Sequence, residues 1–160
     1  MNGDHKGTAD LMDDSGGTLS SCETQFRQFG AHDRFAGRIR TVRCDGDTVL
    51  VKQVLSGPGD GQVLIIDGGG SLYCALMGDR TAAMAAANGW VGLVIHGAVR
   101  DVDALKTVPI GIKALGTNPR KPRQEGTGEI DCPVSFGGVT FRPGEMVWSD
   151  ADGLVTTGPP

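Results

Sequence analysis

The sequence lacks the features that mark several common classes of protein. It contains no run of about 18 apolar residues, so no membrane-spanning helix is expected. Its 15 lysines and arginines are outnumbered by 19 acidic residues, and the net charge of −4 argues against direct nucleic-acid binding. Its acidic N-terminal stretch has no apolar segment of the kind found in secretory signals. We therefore expect a cytoplasmic protein that binds neither membranes nor nucleic acids directly.

Common site motifs are also missing. The four cysteines, Cys22, Cys44, Cys74 and Cys132, include no C-x-x-C pair, which argues against a structural zinc site and favours reduced, mostly buried thiols. No G-x-S-x-G or P-loop pattern is present. The three glycines at 68–70 resemble the start of a G-x-G-x-x-G dinucleotide-binding motif, but that motif would need a glycine at position 73, which is Tyr73.

Glycine, in contrast, is abundant, with 26 among 160 residues. Many glycines indicate many tight turns, which argues against a helical bundle. A chain of this length predicts one domain over 1–160, with 1–7 disordered. Apolar periodicity predicts helices at 8–14 (with Thr8 as N-cap), 48–55, 81–88 and 101–106. Strands are expected at 35–44, 62–67, 91–95 and 110–115, followed by a β-meander at 130–136, 139–141, 145–149 and 153–157. The predicted class is α/β with a mixed sheet.

Two loops after buried strands carry the sharpest chemical signal. Gly78-Asp79 opens a predicted helix, whose free N–H groups favour a carboxylate. Arg100 can clamp the same small acid, and Asp101 is an oxygen ligand suited to Mg²⁺ or Mn²⁺. Two plainer interpretations stay open: Gly78-Asp79 as a simple helix cap, and Arg100-Asp101 as a surface ion pair.

Two further polar groups have plain default interpretations. His96 lies near the predicted site, but a satisfied or exposed histidine is the expected case. The loop Arg120-Lys121-Pro122-Arg123 is expected to be solvated, with contact to a phosphate or an acidic partner as the alternative.

The stretch from 78 to 101, GDRTAAMAAANGWVGLVIHGAVRD, resembles the RraA-like family. That family contains the regulator of ribonuclease E activity A and the class II 4-hydroxy-4-methyl-2-oxoglutarate aldolases. Asp79, Arg100 and Asp101 match its D-x20-R-D pattern. The blocks IGIKALGTNPRK and GEIDCPVSFGGVTFRPGEMVWSDADGLV agree, as do TADLMDD, TQFRQFG and FAGRIRTVRC. The similarity is greatest to short actinobacterial members, some labelled as menaquinone-pathway methyltransferases, although no glycine-rich cofactor motif supports that activity here.

The resemblance implies a lyase acting on small 2-oxo acids through a pyruvate enolate. It implies that the backbone amides of Gly78, Asp79, Arg80 and Thr81 hold the keto acid. Arg100 would bind substrate and stabilise the enolate, Asp101 would bind the divalent metal, and Asp79 would orient a metal-bound water. Expected activities are 4-hydroxy-4-methyl-2-oxoglutarate cleavage and oxaloacetate decarboxylation.

The resemblance also implies a swivelling-type β/β/α domain and a homotrimer with sites between neighbours. Trp90 and Trp148 are candidate contact residues, or core residues if the protein is monomeric. Longer aldolases have a C-terminal extension that gives an acidic residue to the neighbouring site. This chain is expected to lack it, which favours decarboxylation over aldol cleavage. The alternative function is a non-catalytic regulator that binds and inhibits a ribonuclease E-type complex.

Overall fold

The structure, a computed structural model, describes residues 6–157, so most of the predicted disordered N-terminus lies outside the described residues. Lys6 and Gly7 are described, and the Lys6 ammonium forms an ion pair with Asp14 at 2.7 Å. All four predicted helices are present: α1 Thr8–Asp14, α2 Val49–Leu55, α3 Asp79–Ala87 and α4 Val102–Leu105.

The strands agree with prediction wherever a longer apolar run was present. The short strands β1, β2 and β5 were not predicted, and the single strand expected at 130–136 is divided into β8 and β9. In chain order the strands are β1 Leu19–Ser21, β2 Arg27–Gln28, β3 Phe35–Arg43, β4 Val63–Asp67, β5 Ala75–Met77, β6 Gly92–Val99, β7 Gly111–Thr117, β8 Glu129–Ile130, β9 Val134–Phe136, β10 Val139–Phe141, β11 Met146–Asp150 and β12 Gly153–Thr157.

One large mixed sheet organises the described residues. Its strand order is β1-β12-β11-β3-β4-β6-β7-β2, with β5 also paired to β6 and β8 to β3. The strands β3, β4, β6 and β7 are parallel neighbours, whereas β11 and β12 add an antiparallel hairpin beside β3. The hairpin β9–β10 forms a separate sheet. The C-terminal third is therefore a strand meander, and the fold class is α/β as predicted.

The two faces of the sheet are both buried. One face packs against α2, α3 and α4 and forms the helix-side core, which includes Leu64, Ile66, Leu93 and Ile95. The other packs under the β9–β10 hairpin and forms the hairpin-side core, which includes Val63, Ile65, Val94, Phe136 and Phe141. Hairpin, sheet and helices thus give the β/β/α layer order. Coverage on both faces explains why β4 and β6 are continuous apolar runs.

Phe35 shows how glycine permits this packing. Its ring lies so close to the backbones of Gly92 and Gly111 that a Cβ on either would approach a ring carbon to 2.1 Å. These glycines open β6 and β7, and their missing side chains leave room for the aromatic ring.

The predicted cap of α1 is wrong. Gly7 is the N-cap, and Thr8 is the first helical residue. The Thr8 hydroxyl and N–H instead donate to the two carboxylate oxygens of Asp150, at 2.6 and 2.7 Å. Tertiary docking of α1 on β11 therefore uses the hydroxyl that local sequence assigned to capping.

Candidate active site

The two predicted loops meet because their preceding strands are parallel neighbours. Met77, the last residue of β5, pairs with Val99, the last residue of β6. The Arg100 N–H donates to the Met77 carbonyl at 3.0 Å. The start of α3 and the Arg100-Asp101 loop therefore lie side by side at the carboxyl ends of their strands, the edge where α/β sheets place ligands.

Asp101 connects the two loops directly. Its carboxylate Oδ2 accepts a hydrogen bond from the Asp79 N–H at 3.1 Å. Its backbone is left-handed, with φ 62° and ψ 42°, a conformation that aspartate adopts more readily than most residues. A Cβ at Gly78 would lie 2.7 Å from the same Oδ2, so a side chain there would displace the Asp101 carboxylate from this position.

Two of the four amides predicted to hold a keto acid already have acceptors. The Asp79 N–H binds Asp101, and the Arg80 N–H donates to the Asp79 carboxylate at 2.8 Å. A ligand carboxylate would replace these acceptors or bind at Thr81, whose N–H lies in the first helical turn. Arg100 donates through Nη1 to the Pro119 carbonyl at 3.2 Å, which occupies one of its five N–H donors.

A cleft of about 660 Å³ contains all of the predicted site residues, Gly78, Asp79, Arg80, Thr81, Arg100 and Asp101. Its lining also includes Lys52 of α2, which the sequence did not single out, and Lys121, which was expected in a solvated loop. The further lining residues are Thr48, Ala75, Leu76, Met77, Pro122 and Gln124.

The RraA-like family model, described as Aldolase/RraA, matches residues 8–156. The chain belongs to the RraA-like family. This family includes both aldolases and ribonuclease E inhibitors, so membership alone does not select one activity.

Solved structures of RraA-like proteins match nearly the whole chain. The RNA-processing inhibitor RraA from Thermus thermophilis is 45% identical over 98% of this chain and 95% of its own, with a TM-score of 0.93. A Geobacillus kaustophilus protein described as an S-adenosylmethionine:2-dimethylmenaquinone methyltransferase is 42% identical over 97% and 96%, with a TM-score of 0.92. Streptomyces coelicolor RraAS2, described as an unusual member of the RNase ES inhibitor RraA family, is 25% identical over 93% and 77%, with a TM-score of 0.76.

The acidic groups of the cleft fit a hard divalent cation that keeps most of its water. Mg²⁺ is usually held by one or two protein carboxylates, and Asp79 and Asp101 both line the cleft. Within residues 6–157 no group of three or more His, Cys, Asp or Glu side chains is placed to hold a metal. A closed zinc site, which needs about four protein ligands, does not fit this part of the RraA-like chain.

Other candidate residues have structural roles. His96 lies on β6, where its Nδ1 is 3.3 Å from Asp67 Oδ1 and its ring stacks on Phe136 with centroids 4.3 Å apart. The Gly68 and Gly70 N–H groups both donate to the His96 carbonyl, which leaves neither to cradle a phosphate. The prediction of Trp90 as a contact residue is wrong, since its side chain is buried and donates to the Gly57 carbonyl.

Trp148 is half-buried on β11 and stays a candidate contact residue. The four cysteines are free thiols, of which Cys44 and Cys74 are buried. Among residues 6–157, no helix has the length and apolar character that a bilayer crossing needs.

Proposed function

We propose that this protein is a divalent-metal-dependent carbon–carbon lyase of small 2-oxo acids. Its expected substrates are 4-hydroxy-4-methyl-2-oxoglutarate and oxaloacetate, each cleaved to give pyruvate through its enolate. The observation that carries the proposal is that Asp79, Arg100 and Asp101 line one cleft. In it, the Asp79 N–H donates to the Asp101 carboxylate.

Substrate binding would use the first turn of α3 and Arg100. The helix N-terminus offers N–H groups and a partial positive charge to the C1 carboxylate. Donors of Arg100 other than the one directed at Pro119 would reach the 2-oxo oxygen. Asp101 would hold the cation through its carboxylate, and the bound cation would supply Lewis-acid stabilisation of negative charge on the substrate.

Both reactions break the C3–C4 bond of the substrate. In oxaloacetate the C4 carboxylate leaves as CO₂, and in the aldol substrate C4 leaves as a ketone after its hydroxyl loses a proton. The bonding electron pair stays on the pyruvate fragment, whose oxygen becomes an enolate. Arg100 would donate hydrogen bonds to that oxygen, an electrostatic contribution that is greatest when the charge has developed.

The enolate then takes a proton at C3 to give pyruvate. Asp79 is the residue proposed to orient the water that delivers this proton. One of its oxygens accepts the Arg80 N–H, which fixes the direction of the carboxylate at the mouth of the cleft. Decarboxylation needs no base to start it, because CO₂ departs without losing a proton.

A coupled assay for pyruvate tests the proposal. Oxaloacetate with Mg²⁺ or Mn²⁺ is expected to give pyruvate faster with the protein than with metal alone. Arg100→Lys keeps a positive charge but loses the planar donor fork, and should lower turnover sharply. Turnover equal to the metal-only rate, or undiminished in Asp101→Asn, would exclude the lyase.

A ribonuclease-binding function is the second candidate. It is favoured by the 45% identity to a protein described as an RNA-processing inhibitor. The acidic chain would bind a basic segment of a ribonuclease E-type complex. RNA decay by the host nuclease should slow at saturating protein, and an unchanged rate would remove this candidate.

We also propose a homotrimer in which each cleft is completed by a neighbouring copy. Leu72 and Tyr73, 47% and 69% exposed, lie on the segment between β4 and β5 beside the cleft. Burial of these side chains against a neighbour would remove apolar surface from water. Light scattering at micromolar concentration should give about three times 16.6 kDa, whereas the monomer mass would contradict the trimer.

A further inference from the structure

A second cavity, the side pocket, adjoins the cleft at the carboxyl edge of the sheet. Its volume of about 330 Å³ is within the range of small-molecule sites. Leu76 of β5 and Lys121 line both cavities, so the two cavities meet at these side chains. Leu76 lies two residues before Gly78, a rise of about 7 Å along extended backbone. A substituent on C4 of a 2-oxo acid held at the start of α3 can reach across that distance.

The inner wall of the side pocket is apolar and closely packed. Leu76 and Cys74 line it and belong to the helix-side core, with only 3% and 7% of their surface exposed. A Cβ at Gly68 would overlap Leu76 Cδ1, so a side chain there would displace the leucine. The Cys74 thiol lies 3.9 Å from the carbonyl oxygen of Gly46, which lines the same pocket. A wall of buried apolar groups favours an apolar ligand.

Tyr73 supplies a further wall, although its side chain is 69% exposed. Its N–H donates to Ser71 Oγ at 3.1 Å. Its carbonyl accepts hydrogen bonds from Asn118 Nδ2 at 3.1 Å and Arg120 Nη1 at 2.9 Å. The Arg120 guanidinium carbon also lies 4.0 Å from the centre of the tyrosine ring. The ring is therefore held in place before a ligand binds, which lowers the entropy cost of stacking a second ring against it.

The charges around the side pocket favour an uncharged ligand. Arg123 donates to Glu125 Oε2 at 3.2 Å and lies 3.9 Å from the Asp45 carboxylate. The other cation of the lining is Lys121. An ammonium group beside an apolar wall attracts the face of an aromatic ring. Since the nearby carboxylates of Asp45 and Glu125 oppose a further negative charge, an uncharged ring fits this pocket better than an anion.

We propose that the side pocket binds an aromatic ring on C4 of the substrate, with Tyr73 as the residue that selects it. This inference rests on the proposed function and adds a substrate class, the 4-aryl-4-hydroxy-2-oxobutanoates. Cleavage breaks the C3–C4 bond, and its electron pair stays on C3 of the pyruvate enolate. The C4 hydroxyl loses its proton to water, and C4 leaves as the carbonyl carbon of an aromatic aldehyde. The enolate takes a proton at C3 from water, so no oxidant or further reactant is needed.

Binding of two unreactive ligands tests the side pocket without turnover. The ligands are 2-oxo-4-phenylbutanoate and 2-oxobutanoate, which differ only in the ring and have no C4 hydroxyl or carboxylate to support cleavage. In calorimetry with Mg²⁺ present, the wild type should bind the phenyl acid about tenfold more tightly, the effect of partly burying one ring. Tyr73→Ala should remove most of this preference, because it deletes the ring and keeps the backbone groups that bind Ser71, Asn118 and Arg120.

Leu72→Ala is the matched control. Leu72 is exposed on the same segment but is not among the residues that line the side pocket, so this variant should keep the tenfold preference. Light scattering on both variants checks assembly, since both side chains are proposed to contact a neighbouring copy. A preference lost in both variants would assign it to assembly and overturn the role of Tyr73.

Turnover gives a second readout on the same variants. With 4-hydroxy-2-oxo-4-phenylbutanoate as substrate, release of benzaldehyde is followed by its absorbance. The KM should be about tenfold higher in Tyr73→Ala than in Leu72→Ala, with kcat within a factor of two.

The outcomes separate this inference from the lyase itself. Equal affinity of the wild type for the two acids, binding of neither, or a ring preference that persists in Tyr73→Ala would overturn the inference. Pyruvate formed from oxaloacetate by the same protein would leave the lyase standing without an aromatic pocket. A ring preference that Tyr73→Ala removes, in a protein that never forms pyruvate, would refute the lyase and leave the pocket assignment intact.

Discussion

Alternate residues of the same strands form the two faces of the central sheet, but the two faces differ in what lies against them. Leu64 and Ile66 of β4 belong to the helix-side core, while Val63 and Ile65 belong to the hairpin-side core. The helix side continues into the candidate cleft, because α3 and α4 begin at the carboxyl ends of their strands and bring polar groups there. On the hairpin side, β9 and β10 cover the sheet with aromatic rings.

Because of this difference, we expect mutations at the cleft and mutations in the hairpin-side core to change different properties of the protein. A change of charge at the cleft should affect chemistry with little effect on folding, because its side chains are partly exposed. A change of volume in the hairpin-side core should affect folding with little effect on chemistry, because close-packed interiors tolerate voids poorly. Mutations of matched severity can therefore test whether the two faces are independent.

The largest expected effect is on turnover in Asp101→Asn. Asparagine tolerates the left-handed backbone and can accept the Asp79 N–H, but it lacks the negative charge proposed to hold a cation. Pyruvate formation should fall about 100-fold or more, the size of effect seen when one electrostatic group of an active site is lost. The urea midpoint should stay at its wild-type value. A loss of stability that matches the loss of pyruvate formation would show that Asp101 has a structural role.

The next largest effect is on stability in Phe141→Ala. Phe141 is fully buried in the hairpin-side core and stacks at a tilt on Phe136, with centroids 4.8 Å apart. Truncation should lower the free energy of unfolding by about 3–5 kcal/mol, measured with urea. Ser135→Ala on the exposed side of β9 is the control and should change it by less than about 0.5 kcal/mol. A large fall in the kcat of the folded Phe141→Ala variant would show that packing on the hairpin side affects the cleft, and that the two faces are not independent.

These two cases also show what the sequence could predict. Long apolar runs identified β4 and β6, because burial on both faces leaves a clear pattern. The two hairpins were identified as short strands joined by glycine-containing turns. β5 was missed because its three residues, Ala75–Met77, are too short for any periodicity. β6 extends to Val99 through a predicted loop, since pairing with β5 and β7 overrides the local preferences of histidine and glycine.

At the site, the spacing of Asp79, Arg100 and Asp101 was informative because two parallel strands end together. Lys52 and Lys121 were not assigned, since a lysine on a helix or in a polar loop is usually solvated. The proximity of Lys121 to Arg100 depends on the path of the chain after β7, and that of Lys52 depends on the packing of α2 beside α3, neither of which a local pattern encodes. The predicted backbone anion site was incomplete for a similar reason, because Asp101 and Asp79 themselves accept two of its N–H groups.

A smaller effect is expected on acid stability through Asp47. Its carboxylate accepts N–H groups from Val49 at 3.1 Å and from Glu125 at 2.8 Å, and it also binds Gly126 and Thr127. Burial alone would raise the pKa of Asp47, but these backbone donors outweigh it and lower the pKa from 3.8 to about 2. Asp47 therefore binds the backbone of residues 125–127, in the segment that follows Lys121.

Because its folded pKa is depressed, Asp47 stabilises the protein above pH 3.8, and this contribution is lost as the pH falls towards about 2. The urea midpoint should fall over that range. Asp47→Asn should be less stable than the wild type at neutral pH, and its urea midpoint should fall less as the pH is lowered. Asp103→Asn, a fully exposed carboxyl on α4, should keep the wild-type slope. Hydrogen exchange at Gly126 should quicken before exchange at β10, and the reverse order would place the acid-sensitive region on the hairpin side.

The smallest expected effect concerns the thiols, of which each face has two. Cys44 and Cys74 belong to the helix-side core, while Cys22 and Cys132 are half-buried beside the hairpin-side core. Burial, with neighbouring carboxylates such as Asp67, raises the pKa of Cys44 to about 12, so at pH 8 almost no thiolate forms. Iodoacetamide should therefore modify Cys132 before Cys44, as measured by peptide mass spectrometry over time. In urea the two rates should converge, whereas early labelling of Cys44 in the native protein would show that the helix-side core opens first.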